Sequence, residues 1–180
     1  MTQDSLGELI YIDPTSRLEL RQLSENEEAA AASVLAPAVL AGTEEAAALR
    51  ITELKAESKT VLYGGFVDQN MIAAYVLCRD GMANEISLIA VAENHRKRGI
   101  GRLLLQDALR RSGKRPLVAE TDEDGLDFYK ACGFKLVGRR KQPSGAFRYR
   151  IGWHAPGLRF KGGSTNALEG QPVRMQEEQD

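Results

Sequence analysis

The seven residues from His95 to Gly101, "HRKRGIG", put four ionisable side chains and two glycines into one short stretch. Before it runs an apolar segment, "EISLIAV"; after it Ile100, Leu103, Leu104 and Ala108 fall at helical spacing, with Gly113 to close the helix. A helix start presents unbonded N–H groups and a partial positive charge, which together attract anions. Gly99 and Gly101 leave the backbone open to close approach, and Arg96, Lys97, Arg98 and Arg102 can add charge-assisted bonds. On chemistry alone the stretch is either an anion site or a solvated basic turn. Two phosphate loops are excluded. The dinucleotide fingerprint needs a small residue where Leu104 stands, and no G-x-x-x-x-G-K-[ST] run occurs.

Little else in the chain has the types and spacing for chemistry. Cys78 and Cys132 have neither metal-ligand spacing nor the density of a disulfide framework, and both read as small buried hydrophobes. His95 and His154 come without a carboxylate pattern and form no triad, so they read as surface or strand residues. No metal is expected. Lys plus Arg number 24 against 25 Asp plus Glu, so no global field draws the chain to nucleic acid or to an anionic membrane. Aromatic residues are not interleaved with the basic stretch, which argues further against nucleic acid. No apolar run approaches the roughly 20 residues that span a bilayer. "MTQDSLGELIYIDP" lacks the basic-then-apolar order of a secretory signal. A soluble protein in a reducing, cytoplasmic setting is expected, and a homodimer is compatible with all of this.

The elements that must position the basic stretch can be read from period and caps. "RLELRQL" alternates leucine with charge, as a half-buried strand does. Ser24 with Glu27 offers a capping box before an alanine-rich helix that Pro37 and Gly42 interrupt. Thr43 caps a second helix, with Leu49 and Leu54 on one side. Thr60 to Arg79 reads as a hairpin around "DQN", and "EISLIAV" as a strand too apolar to have a wet face. "RPLVAET" is a short strand, "TDED" a cap opening a helix that ends at Gly133, and "FKLVGRR" and "FRYRIGWH" two late strands. The order predicts an α+β domain with a mixed sheet, whose strand–helix–strand unit around the basic stretch wants a parallel pair. Residues 1–16 read as an N-terminal extension, 17–154 as the domain and 155–180 as a loosely held tail.

Two segments together resemble a known family. "IAVAENHRKRGIGRLLLQDAL" is similar to motif A of the GNAT-type N-acetyltransferases, V-x-x-x-x-[QR]-x-x-G-x-[GA], with Val91, Arg96, Gly99 and Gly101 in the diagnostic places. "FYKACGF", Phe128 to Phe134, is similar to the family's F-Y-x-x-x-G-F. The resemblance covers roughly Leu18 to His154. It implies the GNAT fold, a mixed sheet with two splayed parallel strands flanked by helices. It also implies that the anion at Arg96–Arg102, Ile100 included, is the pyrophosphate of acetyl-coenzyme A, with the 3′-phosphate near the arginines.

The same resemblance assigns roles. The backbones of Ile89 and Val91 would pair with the pantetheine arm, the Ile89 amide polarising the thioester carbonyl, while both side chains read as core. Tyr129 would protonate the departing sulfur, its ordinary pKa near 10 lying close to a thiol near 8.5. Glu85 holds the place of a general base in histone-type members, whereas other members use a water chain. Asp122 and Gly125 stand where the family has N-x-x-A before the tyrosine helix; aspartate can cap the helix and accept from a pantetheine N–H but cannot donate to it. The expectation is therefore direct acetyl transfer to a primary amine, on a small molecule or a protein, within a ternary complex. A GNAT fold using another acyl chain, and a coenzyme A-binding regulatory module without turnover, are the alternatives. Nothing in the two N-terminal helices converts to a substrate.

Overall fold

The computed structural model describes residues 8–11 and 17–153. The expectations for the tail at 155–180, for His154 and for most of the N-terminal extension lie outside the described residues. Eight strands form one mixed sheet: β1 (Glu8–Tyr11), β2 (Arg17–Gln22), β3 (Thr60–Val67), β4 (Asn70–Asp80), β5 (Ala83–Val91), β6 (Leu117–Thr121), β7 (Lys135–Lys141) and β8 (Phe147–Trp153). Their spatial order is β1-β2-β3-β4-β5-β6-β8-β7. Every neighbouring pair is antiparallel except β5 and β6, the parallel pair that the strand–helix–strand unit called for. Four helices flank the sheet: α1 (Glu28–Leu35), α2 (Glu44–Glu57), α3 (Ile100–Ser112) and α4 (Glu123–Ala131).

Most boundaries follow the caps. Glu27 accepts from the Ser24 N–H at 2.9 Å, Thr43 Oγ1 from the Ala46 N–H at 3.2 Å, and Asp122 Oδ1 from the Gly125 N–H at 3.0 Å. Each bond satisfies one amide that a helix start leaves without an internal partner. The β3–β4 turn runs through Asp68 and Gln69, both at positive φ, as a two-residue hairpin turn demands. One element was unforeseen and one expectation needs correction. β1 was not foreseen: a strand of four residues in the extension pairs with β2 at the sheet edge. Leu49 does not share the buried side of α2 with Leu54; it is exposed, and Ala47 and Ile51 accompany Leu54 instead, at the three- and four-residue spacing that one helix face requires.

The two faces of the sheet carry separate cores. Tyr75, Leu77, Ile86 and Ala119 pack against Ile100, Leu104 and Ala108 of α3 and against Tyr129 of α4. Val76, Cys78 and Leu88 pack on the opposite face against Ala31, Leu35, Ile51 and Leu54 of α1 and α2. β4 is buried on both faces, which is why it reads as an unbroken apolar run. A polar tie also holds α3 to β4. Asp107, 3% exposed, accepts from the Tyr75 hydroxyl at 2.6 Å and from Arg111 Nε at 2.8 Å, with Arg110 on its other oxygen. Burial, reinforced by the Asp107 carboxylate, pushes the Tyr75 phenol well above its ordinary pKa, so it stays a donor. α3 is thereby held at its start by burial of Ile100, worth roughly 2 kcal/mol, and in its second half by this tie.

Candidate active site

The parallel strands touch only at their beginnings. Asn84, Glu85 and Ile86 register with Leu117, Val118 and Ala119; beyond these pairs β5 and β6 part. On its other side β5 stays paired with β4 as far as Val91, but the register skips Ser87, since Leu77 faces Ile86 and Val76 faces Leu88. Ser87 is thus a β-bulge, its hydroxyl 3.1 Å from Cys78 Sγ. The bulge decides where the backbone points. The Asn84 N–H bonds Pro116 on the β6 side, whereas the Ala92 N–H bonds Ile72 on the β4 side at 2.8 Å. Ladder alternation back from Ala92 sends Ala90 and Leu88 toward β4, and aims the N–H and C=O groups of Ile89 and Val91 into the split. Without the extra residue that assignment would be reversed.

At the mouth of the split lies the basic stretch. A 3-10 turn, Glu93–His95, leads to Lys97 at φ 60° and Gly99 at φ 80°, a left-handed pair that turns the chain into α3. Leu103 is the first residue of the helix to bond back, to the Gly99 carbonyl at 3.2 Å, so the N–H groups of Ile100, Gly101 and Arg102 face outward together. No acidic residue occupies the first turn of α3. Arg96 Nε donates to the Val91 carbonyl at 2.9 Å and braces the loop against the end of β5.

The second motif faces the first across the cleft. A Cβ on Gly101 would stand 3.1 Å from Phe128 Cζ, so glycine there lets α3 and α4 close up. Gly133, at φ 89°, reverses the chain after α4 and returns Phe134 beneath Tyr129, whose carbonyl accepts the Phe134 N–H at 3.1 Å. The Tyr129 ring packs edge-on against Phe134 at 5.4 Å and Phe128 at 5.2 Å. Gly125 has a local reason to be glycine: a Cβ there would collide with the Thr121 hydroxyl.

These parts enclose a cleft of about 980 Å³, a size that suits a large ligand. Ile89, Val91, Asp122 and Tyr129 line it, and so do Arg96, Lys97, Gly99, Ile100, Gly101 and Arg102. Arg98 is exposed and not in the wall, and Glu85 is not in the wall either; its carboxylate lies 3.7 Å from Arg150. The Ile89 and Val91 side chains pack against the core, as expected, but are only partly buried. β5 alternates buried with half-exposed positions because the cleft opens along it. Cys132 is half-exposed in the same wall rather than buried. Tyr129 is 5% exposed, and burial pushes its phenol up to about 12, partly countered by Arg148, so the ordinary value of 10 does not hold here. Sequence reasoning missed Pro37, Ser87, Glu120 and Arg148, which also line the cleft. Glu120 left a trace, as a charge inside an otherwise apolar strand; the bulge at Ser87 left none. Among the described residues no group of His, Cys, Asp or Glu could hold a metal ion, and no helix is long and apolar enough to cross a membrane.

A sheet split between two parallel strands, with a glycine-lined helix start at its mouth, defines the GNAT fold. Residues 57–136 match the family model of the acetyltransferase (GNAT) domain. Solved structures agree on the fold. A GNAT family acetyltransferase from Elizabethkingia anophelis, with acetyl-CoA bound, superposes with a TM-score of 0.62 at 20% identity, over 77% of this chain and 98% of that one. An acetyltransferase from Bacillus subtilis in complex with CoA gives 0.63 at 19% identity, over 77% and 99%. The IAA acetyltransferase from Bacillus cereus gives 0.59 at 22%, over 75% and 97%. No curated protein matches the chain in sequence.

Proposed function

We propose that the protein is an N-acetyltransferase that moves an acetyl group from acetyl-coenzyme A to a primary amine by direct attack in a ternary complex. The observation that carries this reading is the continuity of the cleft. The N–H and C=O of Ile89 and the N–H of Val91 face the split beyond the last β5–β6 pair, and they lead straight to the outward N–H groups of Ile100, Gly101 and Arg102; the Val91 carbonyl is taken by Arg96 Nε. Unpaired amides inside a sheet need partners, and an amide-bearing pantetheine arm supplies them. A pyrophosphate suits a helix start flanked by Arg96, Lys97 and Arg102. When bound, the co-substrate contributes the activated acyl group and the thiolate leaving group.

The chain's own residues do the rest. The Ile89 N–H donates to the acyl oxygen as it gains charge, a contribution fixed in place before the reaction begins. Tyr129, protonated at every working pH, holds the proton that the sulfur needs. Asp122 spends one oxygen on the α4 cap and keeps the other for a pantetheine N–H. Calorimetric titration with acetyl-coenzyme A tests the site: Gly99→Glu has open space around its Cβ but a left-handed φ of 80°, so it should lose about 1–2 kcal/mol of stability, remain folded and lose binding. Thiol release, assayed over small amines, lysine peptides and protein N-termini, tests the activity. Unchanged affinity in Gly99→Glu would remove the site, and binding without thiol release from any amine would favour the regulatory alternative.

A further inference from the structure

Glu85 entered as the candidate base by resemblance, but it sits where β5 and β6 are still paired, opposite Val118. Glu120 is different. It follows the last parallel pair, Ile86 with Ala119, so it is the first residue of β6 inside the split, and it lines the cleft. Leu117 and Ala119 belong to the core beneath α3 and α4; alternation therefore turns Glu120 to the other face of the sheet. Pro37 and Ala38, in the turn after α1, reach the cleft from that same side. Tyr129 enters from the α4 side. An acyl group held between the strands thus has a proton donor on one face and a carboxylate on the other.

The Glu120 carboxylate is also held in place. Its Oε2 accepts from Arg140 Nη2 at 2.9 Å, while its Oε1 stands 3.9 Å from Arg150 Nη1 and keeps lone pairs for another donor. Its side chain is 27% exposed, open to the cleft but partly shielded from water. We infer that Glu120, and not Glu85, is the carboxylate that receives the acceptor's ammonium group, orients it toward the acyl carbon and takes its proton. The inference rests on the acetyltransferase reading of the cleft. Of the ammonium's three protons, one passes to Glu120 and then to solvent, one stays on the amide nitrogen, and one returns to Tyr129, whose own proton has gone to the sulfur. The C–N bond forms as the C–S bond breaks.

The test needs no known acceptor. Two thioethers of coenzyme A, with a 2-aminoethyl or a propyl group on sulfur, have the same shape and differ by one positive charge close to where an attacking nitrogen waits. Calorimetry should show the wild type preferring the aminoethyl compound by about tenfold, the scale of a partly shielded ion pair. Glu120→Gln should abolish the preference while leaving propyl-coenzyme A affinity unchanged, Glu120→Ser should do the same, and Glu85→Gln should retain it. A preference that survives both Glu120 variants, that disappears in Glu85→Gln, or that is missing from the wild type overturns the inference. Failure of the wild type to bind either thioether overturns the acetyltransferase reading itself, and the inference falls with it.

Discussion

Replacing Tyr129 by phenylalanine removes one oxygen from a ring that Phe128 and Phe134 hold edge-on, so the packing survives. Two magnitudes follow. The first is kinetic. A positioned general acid contributes about 10²–10⁴-fold, and a phenol pushed up to about 12 is a weak member of that class, so turnover should fall by about 10² with coenzyme A affinity unchanged. The second is thermodynamic. A phenol whose folded value is raised from 10 to about 12 stabilises the protein fully below pH 10, and that contribution is lost as pH climbs through 12, because the unfolded tyrosine ionises first. The loss is about 3 kcal/mol. Urea unfolding at pH 8 and at pH 11.5 should therefore fall more steeply for the wild type than for Tyr129→Phe; Tyr75 is present in both and cancels. Thiol release by stopped flow, with chemistry shown to limit turnover, reads the kinetic half. Full turnover in Tyr129→Phe, or equal loss of stability between pH 8 and pH 11.5 in wild type and variant, would refute the reasoning.

Two further outcomes follow from packing. Gly101→Ala gains helix propensity but forces the Phe128 ring aside by a few tenths of an ångström, so stability in urea should barely change while calorimetric affinity for coenzyme A drops several-fold. Asp107→Ala leaves Arg111 and the Tyr75 hydroxyl buried without their partner and should cost about 3–5 kcal/mol of unfolding free energy; Asp107→Asn, which can still accept from Tyr75, should cost less.

Element order and type were legible because they depend on local signals. Ser24, Thr43 and Asp122 mark helix starts by capping chemistry, Gly113 and Gly133 mark ends, and the strands alternate or run apolar. The basic loop at the mouth of the split was legible for a similar reason, since two glycines and a run of cations lie within seven residues. What could not be read depends on which strands meet and where they part. Asp107 looks like any polar position of an amphipathic helix until Tyr75 is placed beneath it. Glu85 and Glu120 look alike along the chain; only the end of the β5–β6 pairing separates the one outside the wall from the one within it. Leu49 misled because the apolar character of a residue does not say which way its helix is turned.

The bulge at Ser87 gives this protein an uneven tolerance to genetic change. Backbone groups of Ile89 and Val91 line the split whatever side chains those positions carry, so exchanging one apolar residue for another along β5 leaves the line of amides intact. Losing or gaining a single codon between Glu85 and Ile89 is another matter. It would exchange the two sides, turning the N–H and C=O groups of Ile89 and Val91 toward β4 and those of Ala90 into the split, while leaving composition and hydrophobicity almost untouched. The strand's reading frame with respect to its neighbour, more than its spelling, is what such a lineage must keep.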